Sequence, residues 1–200
     1  MKYIILIPIY NDRESLKLLI ENINNQIKDL KSEISIVVIN DASSQQIIET
    51  YSNIENIQSI EIVNMKENRG HARCIASGLK YIFEKKEFDY VIPMDGDGED
   101  RPEEIINFIE ASKEAVDKSI VGERVKRSEG LLFQLSYKFH KYLTLAFTGQ
   151  SIKYGNFTCL SKSTIKKMLQ EKATWNSFSG SLKKIEKDLV SIPSIRGTRY

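Results

Sequence analysis

The strongest constraint on the fold is a set of short, unbroken apolar runs separated by polar residues and helical patterns. Lys2 to Tyr10 reads KYIILIPIY, and residues 34–39 read ISIVVI. Runs of this kind are typical of strands buried on both faces of a mainly parallel sheet. Residues 59–63, 90–94 and 119–122 predict further strands. Because helical patterns alternate with them, the sequence predicts an α/β fold with a mainly parallel sheet flanked by helices.

Helical patterns follow most of these runs. Asn11 and Asp12 are expected to cap the first helix, and Pro102 is expected to open the helix after the Tyr90 strand. Residues 131–148 form one apolar face with lysines beside it. This segment fits a core-facing helix and a basic amphipathic helix on a membrane surface about equally well.

Composition indicates one domain with an uneven distribution of charge. The chain has 200 residues and is 41% hydrophobic, which is enough for a sizeable core. Residues 1–100 contain 11 Lys/Arg and 17 Asp/Glu, whereas residues 101–200 contain 18 and 10. An acidic half that could hold a cation therefore precedes a basic half that could meet an anion, although chance surface charge explains this nearly as well.

Cysteine usage and hydropathy bear on the compartment. Cys74 and Cys159 match no zinc or redox spacing, which indicates buried thiols in a reducing environment. The first apolar run is too short for a signal peptide, and no stretch approaches the roughly 20 apolar residues that span a bilayer. We therefore expect a cytoplasmic protein, with contact to the inner face of the cell membrane left open.

An acidic stretch follows the Tyr90 strand and reads MDGDGEDRP from Met94 to Pro102. Asp95 and Asp97 are two residues apart, and the intervening glycines leave room for phosphate oxygens around a shared hard cation. An EF-hand loop is excluded, because its sixth and twelfth positions would be Asp100 and Ile106. A solvated helix-capping turn remains an alternative, but it leaves Asp95 and Asp97 unexplained.

Polar residues recur at the ends of four predicted strands, at 11–12, 40–41, 68–73 and 95–100. Parallel strands bring such ends to one edge of the sheet, so these segments are expected to share a crevice. The first strand is followed by neither a G-x-G-x-x-G fingerprint nor a Walker A loop. A dinucleotide-binding fold and a nucleotidyltransferase are therefore disfavoured, and no nucleic-acid-binding motif is present.

With these segments in order, the chain resembles the family 2 inverting glycosyltransferases of GT-A fold along essentially its whole length. The likeness is strongest to dolichol-phosphate mannose synthases and bacterial polyprenol-phosphate glycosyltransferases. Four segments carry the resemblance, and they read IPIYND from Ile7, VINDAS from Val38, NRG with Arg73 from Asn68, and MDGDGEDRPE from Met94. Asp12, Asn40 and Ala42 depart from the family pattern, where Glu, Asp and Gly are usual.

The resemblance implies a UDP- or GDP-linked sugar donor and a divalent cation, Mg²⁺ or Mn²⁺, on Asp95 and Asp97. The cation would support the negative charge of the departing nucleoside diphosphate. The positions that match the donor pocket are Pro8, Tyr10, Asp12, Asn40, Asp41, Gly70, Arg73 and Asp95.

For the acceptor, the resemblance implies a role for the GNF segment that contains Asn156. Related proteins have Asp there, and Asn cannot act as a general base. A phosphate acceptor is already an anion and needs no base, whereas an alcohol would shift that role to Asp100 or Glu99. The residues implied in catalysis are Asp97, Asp100 and Asn156, and those implied in binding the acceptor phosphate are Arg124, Arg127, Arg196 and Arg199.

The sequence is therefore interpreted as a single catalytic domain over 1–200, with a nucleotide-sugar and metal half at 1–122 and an acceptor half at 123–200. The expected reaction is inverting transfer of a sugar, of the hexosyltransferase type, to a polyprenyl phosphate or similar membrane acceptor. Transfer to a saccharide hydroxyl and a non-catalytic nucleotide-sugar binding module are the alternatives. We expect the native chain to continue into a membrane region, and a homo-oligomer is left open.

Overall fold

The predicted sheet is present in a computed structural model, which describes residues 1–45, 51, 54–125 and 153–200. Over these residues it contains seven strands in the order β3-β2-β1-β4-β6-β5-β7. Their bounds are β1 Lys2–Ile9, β2 Glu33–Asn40, β3 Ser59–Asn64, β4 Tyr90–Pro93, β5 Ile120–Arg124, β6 Tyr154–Ser161 and β7 Val190–Ser194.

Five α-helices accompany the strands in the described residues. They are α1 Arg13–Gln26, α2 His71–Lys85, α3 Ile105–Glu114, α4 Lys162–Gln170 and α5 Phe178–Ile185. Short 3₁₀ helices at Pro102–Glu104 and Lys172–Trp175 precede α3 and α5. No helix in the described ranges combines the length and apolarity that crossing a bilayer requires.

Strand β1 lies inside the parallel part of the sheet. It pairs in parallel with β2 on one side and with β4 on the other, and β2 pairs in parallel with β3. Strand β6 is antiparallel to both β4 and β5, and β7 is parallel to β5. The prediction of a mainly parallel α/β sheet is therefore confirmed.

Both faces of β1 are buried, which explains its unbroken apolar sequence. Tyr3, Ile5 and Ile7 pack in the core under α1 and α3, whereas Ile4 and Leu6 pack in the core under α2, α4 and α5. Successive side chains of a strand point to opposite faces, so a strand between two helical layers has no exposed position that needs a polar residue.

The predicted caps are only partly correct. Pro102 begins the 3₁₀ helix that leads into α3, as expected. Ser161 caps α4, because its Oγ accepts a hydrogen bond from the Thr164 backbone. Helix α1 begins after Asp12, but no side chain of the described residues caps it. Asn11 has φ of 52°, and its Oδ1 accepts instead from the backbone of Ser44 at 2.8 Å.

The predicted helix over 131–148 lies outside the described residues.

Glu104 joins the turn before α3 to the end of β7. This buried carboxylate accepts a hydrogen bond from Ser194 Oγ at 2.6 Å and another from the Ile195 backbone at 2.7 Å. The chain that follows β7 therefore leaves the sheet from a fixed point.

Glu104→Ala should lower the free energy of unfolding by about 1–3 kcal/mol, because it leaves a buried hydroxyl and a backbone N–H without acceptors. Urea unfolding followed by circular dichroism measures the change. Glu103→Ala, on the same turn but exposed, is the matched control and should change stability by less than about 0.5 kcal/mol. Equal effects of the two substitutions would contradict this account of Glu104.

Candidate active site at the end of strand β4

The acidic turn, residues 95–100, follows β4 and is folded by its own hydrogen bonds. Asp100 Oδ2 accepts from the Asp95 backbone at 2.8 Å, and Asp97 Oδ1 accepts from the Glu99 backbone at 3.1 Å. Gly98 has φ of +83°, a conformation that glycine adopts without strain. These bonds hold four carboxylates close together at the carboxyl edge of the sheet.

Residues 196–200 cross this turn and partly neutralise it. Arg199 Nη2 lies 2.9 Å from Asp97 Oδ2, and Arg196 forms an ion pair with Glu99. The Gly197 backbone donates to the Glu99 carbonyl at 2.7 Å, and the Tyr200 backbone donates to the Asp97 carbonyl at 2.9 Å. The structure therefore brings the two sequence-predicted arginines onto the predicted metal-binding turn.

His71 is a site residue that sequence reasoning missed. Its Nε2 lies 3.3 Å from Asp95 Oδ1 and 2.8 Å from Asn156 Nδ2, so it joins the acidic turn to the GNF segment. The signal was its place in the sequence, because it stands between two predicted site residues, Gly70 and Arg73. The pKa of His71 is raised, mainly by its contact with the Asp95 carboxylate.

Arg124 lies against the same segment from β5. A Cβ added to Gly155 would be 2.8 Å from Arg124 Nη2, so the guanidinium occupies the space that glycine leaves. Arg124 and Asp100 also line one small cavity together with Arg196. Arg127, predicted as its companion, lies outside the described residues.

The carboxylates differ in their protonation. Burial raises the pKa of Asp100 from its ordinary value of 3.8 to about 7, and the neighbouring Asp95 carboxylate adds to this effect. Burial also acts to raise the pKa of Asp95, but His71 and Asn156 beside it outweigh that effect and leave the pKa lowered. The acidic turn thus contains one carboxylate, Asp95, whose pKa is lowered, and one, Asp100, whose pKa lies near neutral pH.

The end of β2 fixes the start of α2. Both Asp41 oxygens accept backbone hydrogen bonds, from Arg69 at 2.8 Å and from Gly70 at 2.9 Å. Asn40 is also engaged, because it donates to Asn64 at 2.7 Å and accepts from the Ser43 backbone at 3.0 Å. Asp41 is only 3% exposed. These two residues therefore have a structural function in addition to the donor contacts predicted for them.

The remaining predicted donor residues surround the crevice. The Pro8 carbonyl would lie 3.3 Å from a Cβ on Gly96, so the end of β1 touches the acidic turn. Tyr10 is 53% exposed, and Arg73 is exposed on the first turn of α2. Tyr10 and Arg73 are therefore accessible to a ligand, and Asp12 is half-buried.

The donor set of the acidic turn fits a divalent cation that has few protein ligands. Asp95 Oδ1 is buried, and apart from the 3.3 Å contact with His71 Nε2 it has no hydrogen-bond partner among the described residues, so it can still accept a ligand. No three His, Cys, Asp or Glu side chains in the described ranges already form a metal-binding group. Mg²⁺ and similar ions are often held by one or two carboxylates, with substrate phosphates and water completing the shell.

The fold matches solved structures of a known class. The chain superposes on crystal structures of S. aureus TarS 1–349 with a TM-score of 0.63 at 16% identity, covering 98% of this chain and 59% of that one. The complex of the same protein with UDP-GlcNAc gives a TM-score of 0.64 at 17% identity, covering 98% and 57%. These are GT-A fold glycosyltransferases, so the predicted fold is confirmed.

Sequence comparison defines the family. Residues 4–174 match the model of glycosyl transferase family 2. The chain is also similar to undecaprenyl-phosphate 4-deoxy-4-formamido-L-arabinose transferases, with 30% identity to that of Proteus mirabilis and 28% to that of Yersinia enterocolitica. Each match covers 81% of this chain and 48% of the relative, so the chain spans about half the length of these relatives. The chain belongs to glycosyltransferase family 2, which confirms the resemblance drawn from its motifs.

The pKa of Asp100 predicts how stability depends on pH. Because the folded protein holds this proton more tightly than the unfolded chain, Asp100 makes stability fall as pH rises from about 4 to above 7. Asp100→Asn should remove this contribution, so the variant should gain stability relative to wild type as pH rises through that range. Urea unfolding in the presence of a chelator, at several pH values, measures it. Parallel profiles for the two proteins would contradict the perturbed carboxyl.

Proposed function

We propose that this chain transfers a sugar, with inversion, from a nucleoside-diphosphate donor to a polyprenyl phosphate. The observation that carries the proposal is the cluster at the carboxyl edge of the sheet. There the acidic turn contacts His71 and Arg199, and Arg124 lies against the neighbouring Gly155. Carboxylates for a cation and arginines for phosphates in one crevice suit a reaction in which both substrates carry phosphate.

The donor would lie across the ends of β1 and β2. Tyr10 offers an exposed aromatic ring for a base, and Arg73 offers an exposed cationic side chain at the start of α2. Asp41 accepts one backbone hydrogen bond on each oxygen, and a carboxylate oxygen can accept a second from a uracil or guanine edge. The UDP-GlcNAc complex of the structural neighbour TarS supports a UDP-linked donor.

Asp95 and Asp97 would hold a divalent cation on the donor diphosphate. When bound, the cation stabilises the negative charge that develops on the leaving nucleoside diphosphate. Asp97 must first exchange its ion pair with Arg199, which leaves that guanidinium free to meet a phosphate. Asp100, beside Asp95, keeps a hydrogen bond to the turn and holds its shape.

The acceptor would approach from the side of β5 and β6. Arg124 lies against Gly155 there, and Arg196 lines the same cavity. A phosphate monoester needs no general base, which accommodates Asn156 at the position where related proteins have Asp. The names of the Proteus and Yersinia relatives specify undecaprenyl phosphate as acceptor, which supports a lipid phosphate here and action at the inner face of the cell membrane.

One observation favours a second function, transfer to a saccharide hydroxyl. Asp100 has a pKa of about 7, close to the value that suits a general base. An alcohol acceptor would need such a base, whereas a phosphate acceptor would not. Asp100→Asn therefore distinguishes the two acceptors, because it should abolish transfer to a hydroxyl and leave most of the transfer to a phosphate.

The first test is calorimetric titration of UDP and GDP, each with and without Mn²⁺. One nucleotide should bind in a metal-dependent way, and Asp97→Ala should abolish that binding because the diphosphate loses its cation. Glu103→Ala, exposed and outside the crevice, is the control and should bind like wild type. Metal-independent binding of equal strength in wild type and Asp97→Ala would contradict the donor site.

The second test measures transfer from a panel of sugars linked to the preferred nucleotide into undecaprenyl phosphate. The expected product is a lipid-extractable phosphosugar whose anomeric configuration, read by NMR, is opposite to that of the donor. Arg124→Ala should lower transfer at least about tenfold without weakening nucleotide binding, since a charge-assisted contact with phosphate contributes about 1.5–3 kcal/mol. A binding-only module would retain nucleotide affinity and give no product with any acceptor.

A further inference from the structure

We propose that His71 is a direct ligand of the divalent cation, through its Nε2 atom and alongside Asp95. This inference rests on the metal-dependent donor site proposed above and adds an imidazole to its two carboxylates. His71 lies outside the acidic turn in the sequence, because it is the first residue of α2.

The position of His71 is fixed by rigid structure rather than by a loose loop. It is the first residue of α2, and the two backbone N–H groups before it, those of Arg69 and Gly70, are held by the buried Asp41 carboxylate. The helix itself packs on β1 and β2. A ligand on such a base keeps its geometry when the ion arrives, which favours binding.

The spacing of His71 Nε2 and Asp95 Oδ1 suits two ligands of one ion. They lie 3.3 Å apart, and Asp95 Oδ1 is buried with no hydrogen bond among the described residues. Ligands at about 2.0–2.2 Å from an ion, at tetrahedral or octahedral angles, are separated by roughly 3 Å or slightly more. A cation between these two atoms would interact favourably with the lone pairs of both the buried oxygen and the facing nitrogen.

Asn156 shows which atom of the ring faces the crevice. Its Nδ2 lies 2.8 Å from His71 Nε2, so Nε2 is the ring nitrogen that faces the crevice. A neutral ring with its proton on Nδ1 would direct the Nε2 lone pair toward Asp95 and Asn156. An ion bound by His71 would take the place of the Asn156 amide as partner of this lone pair.

An imidazole ligand has a consequence for metal preference. Imidazole nitrogen suits transition ions such as Zn²⁺, Fe²⁺ and Ni²⁺, and Mn²⁺ stands at the weak end of that series, whereas Mg²⁺ is suited by oxygen ligands. His71→Gln should therefore weaken Mn²⁺ binding by at least about tenfold, the lower end of the loss seen when outer-shell partners of a metal are removed. Its effect on Mg²⁺ binding should be smaller.

The decisive experiment is pulsed electron paramagnetic resonance of Mn²⁺ on the whole chain, which detects nitrogen coordinated to the ion. Spectra are recorded with Mn²⁺ alone and with Mn²⁺ plus UDP or GDP, on protein with ordinary and with isotopically labelled histidine. The chain has only two histidines, so His140→Gln is the matched control. If His71→Gln folds poorly, labelled wild type compared with labelled His140→Gln still identifies which histidine binds the ion.

The expected result is a nitrogen coupling that changes with the histidine label, is lost in His71→Gln and His71→Ala, and persists in His140→Gln. Bound Mn²⁺ that Asp97→Ala releases but that has no histidine coupling would overturn the inference and leave the proposed function standing. A coupling lost only in His140→Gln would overturn it in the same way. Absence of Mn²⁺ binding under every condition would overturn both the inference and the metal-dependent donor site.

Discussion

The whole site depends on the parallel pairing of β1 with both β2 and β4. This register brings the loops that follow β1, β2 and β4 to one edge of the sheet, where they are close to one another. The Pro8 carbonyl touches the acidic turn, and Asn11 binds the backbone of Ser44 after β2. A slip of one residue in β1 would exchange the residues in its two buried layers, so burial on both faces fixes the register and with it the site.

The site also depends on charge compensation of the acidic turn. Four carboxylates in six residues repel one another, and three of them have close partners from other elements, namely Asp95 with His71, Asp97 with Arg199 and Glu99 with Arg196. Asp100 lacks such a close partner among the described ion pairs, and burial raises its pKa to about 7. A cation that binds this turn would therefore replace existing partners instead of filling a bare acidic cluster. The released arginine would then become available to an anion.

The sequence predicted the sheet, the order of its elements and most of the crevice. Unbroken apolar runs identify strands buried on both faces, and polar residues that end such strands must meet at one edge, so Asp95 and Asp97 were found from pattern alone. The role of Asp100 came from the resemblance to the family. Arg124, Arg196 and Arg199 came from the resemblance to family 2 glycosyltransferases, and their contacts with the crevice needed the structure.

The position of His71 between Gly70 and Arg73 indicates that it lies near the crevice, but no sequence pattern identifies Asp95 as its partner. The same holds for the two bonds from Asp41 to the start of α2. Asn11 was predicted as a helix cap, but its oxygen accepts hydrogen bonds from the loop after β2. Local sequence preference favoured the cap, and a tertiary contact was formed in its place.

The central claim is that the acidic turn after β4 binds the donor diphosphate through a cation. The most direct measurement is anomalous X-ray scattering from crystals grown with Mn²⁺ and the nucleotide that binds best. An anomalous peak is expected within coordination distance of Asp95 or Asp97 and of the diphosphate oxygens, with Arg199 displaced from Asp97. A diphosphate bound elsewhere, or bound on the acidic turn with the Arg199 to Asp97 ion pair intact and no peak, would contradict it.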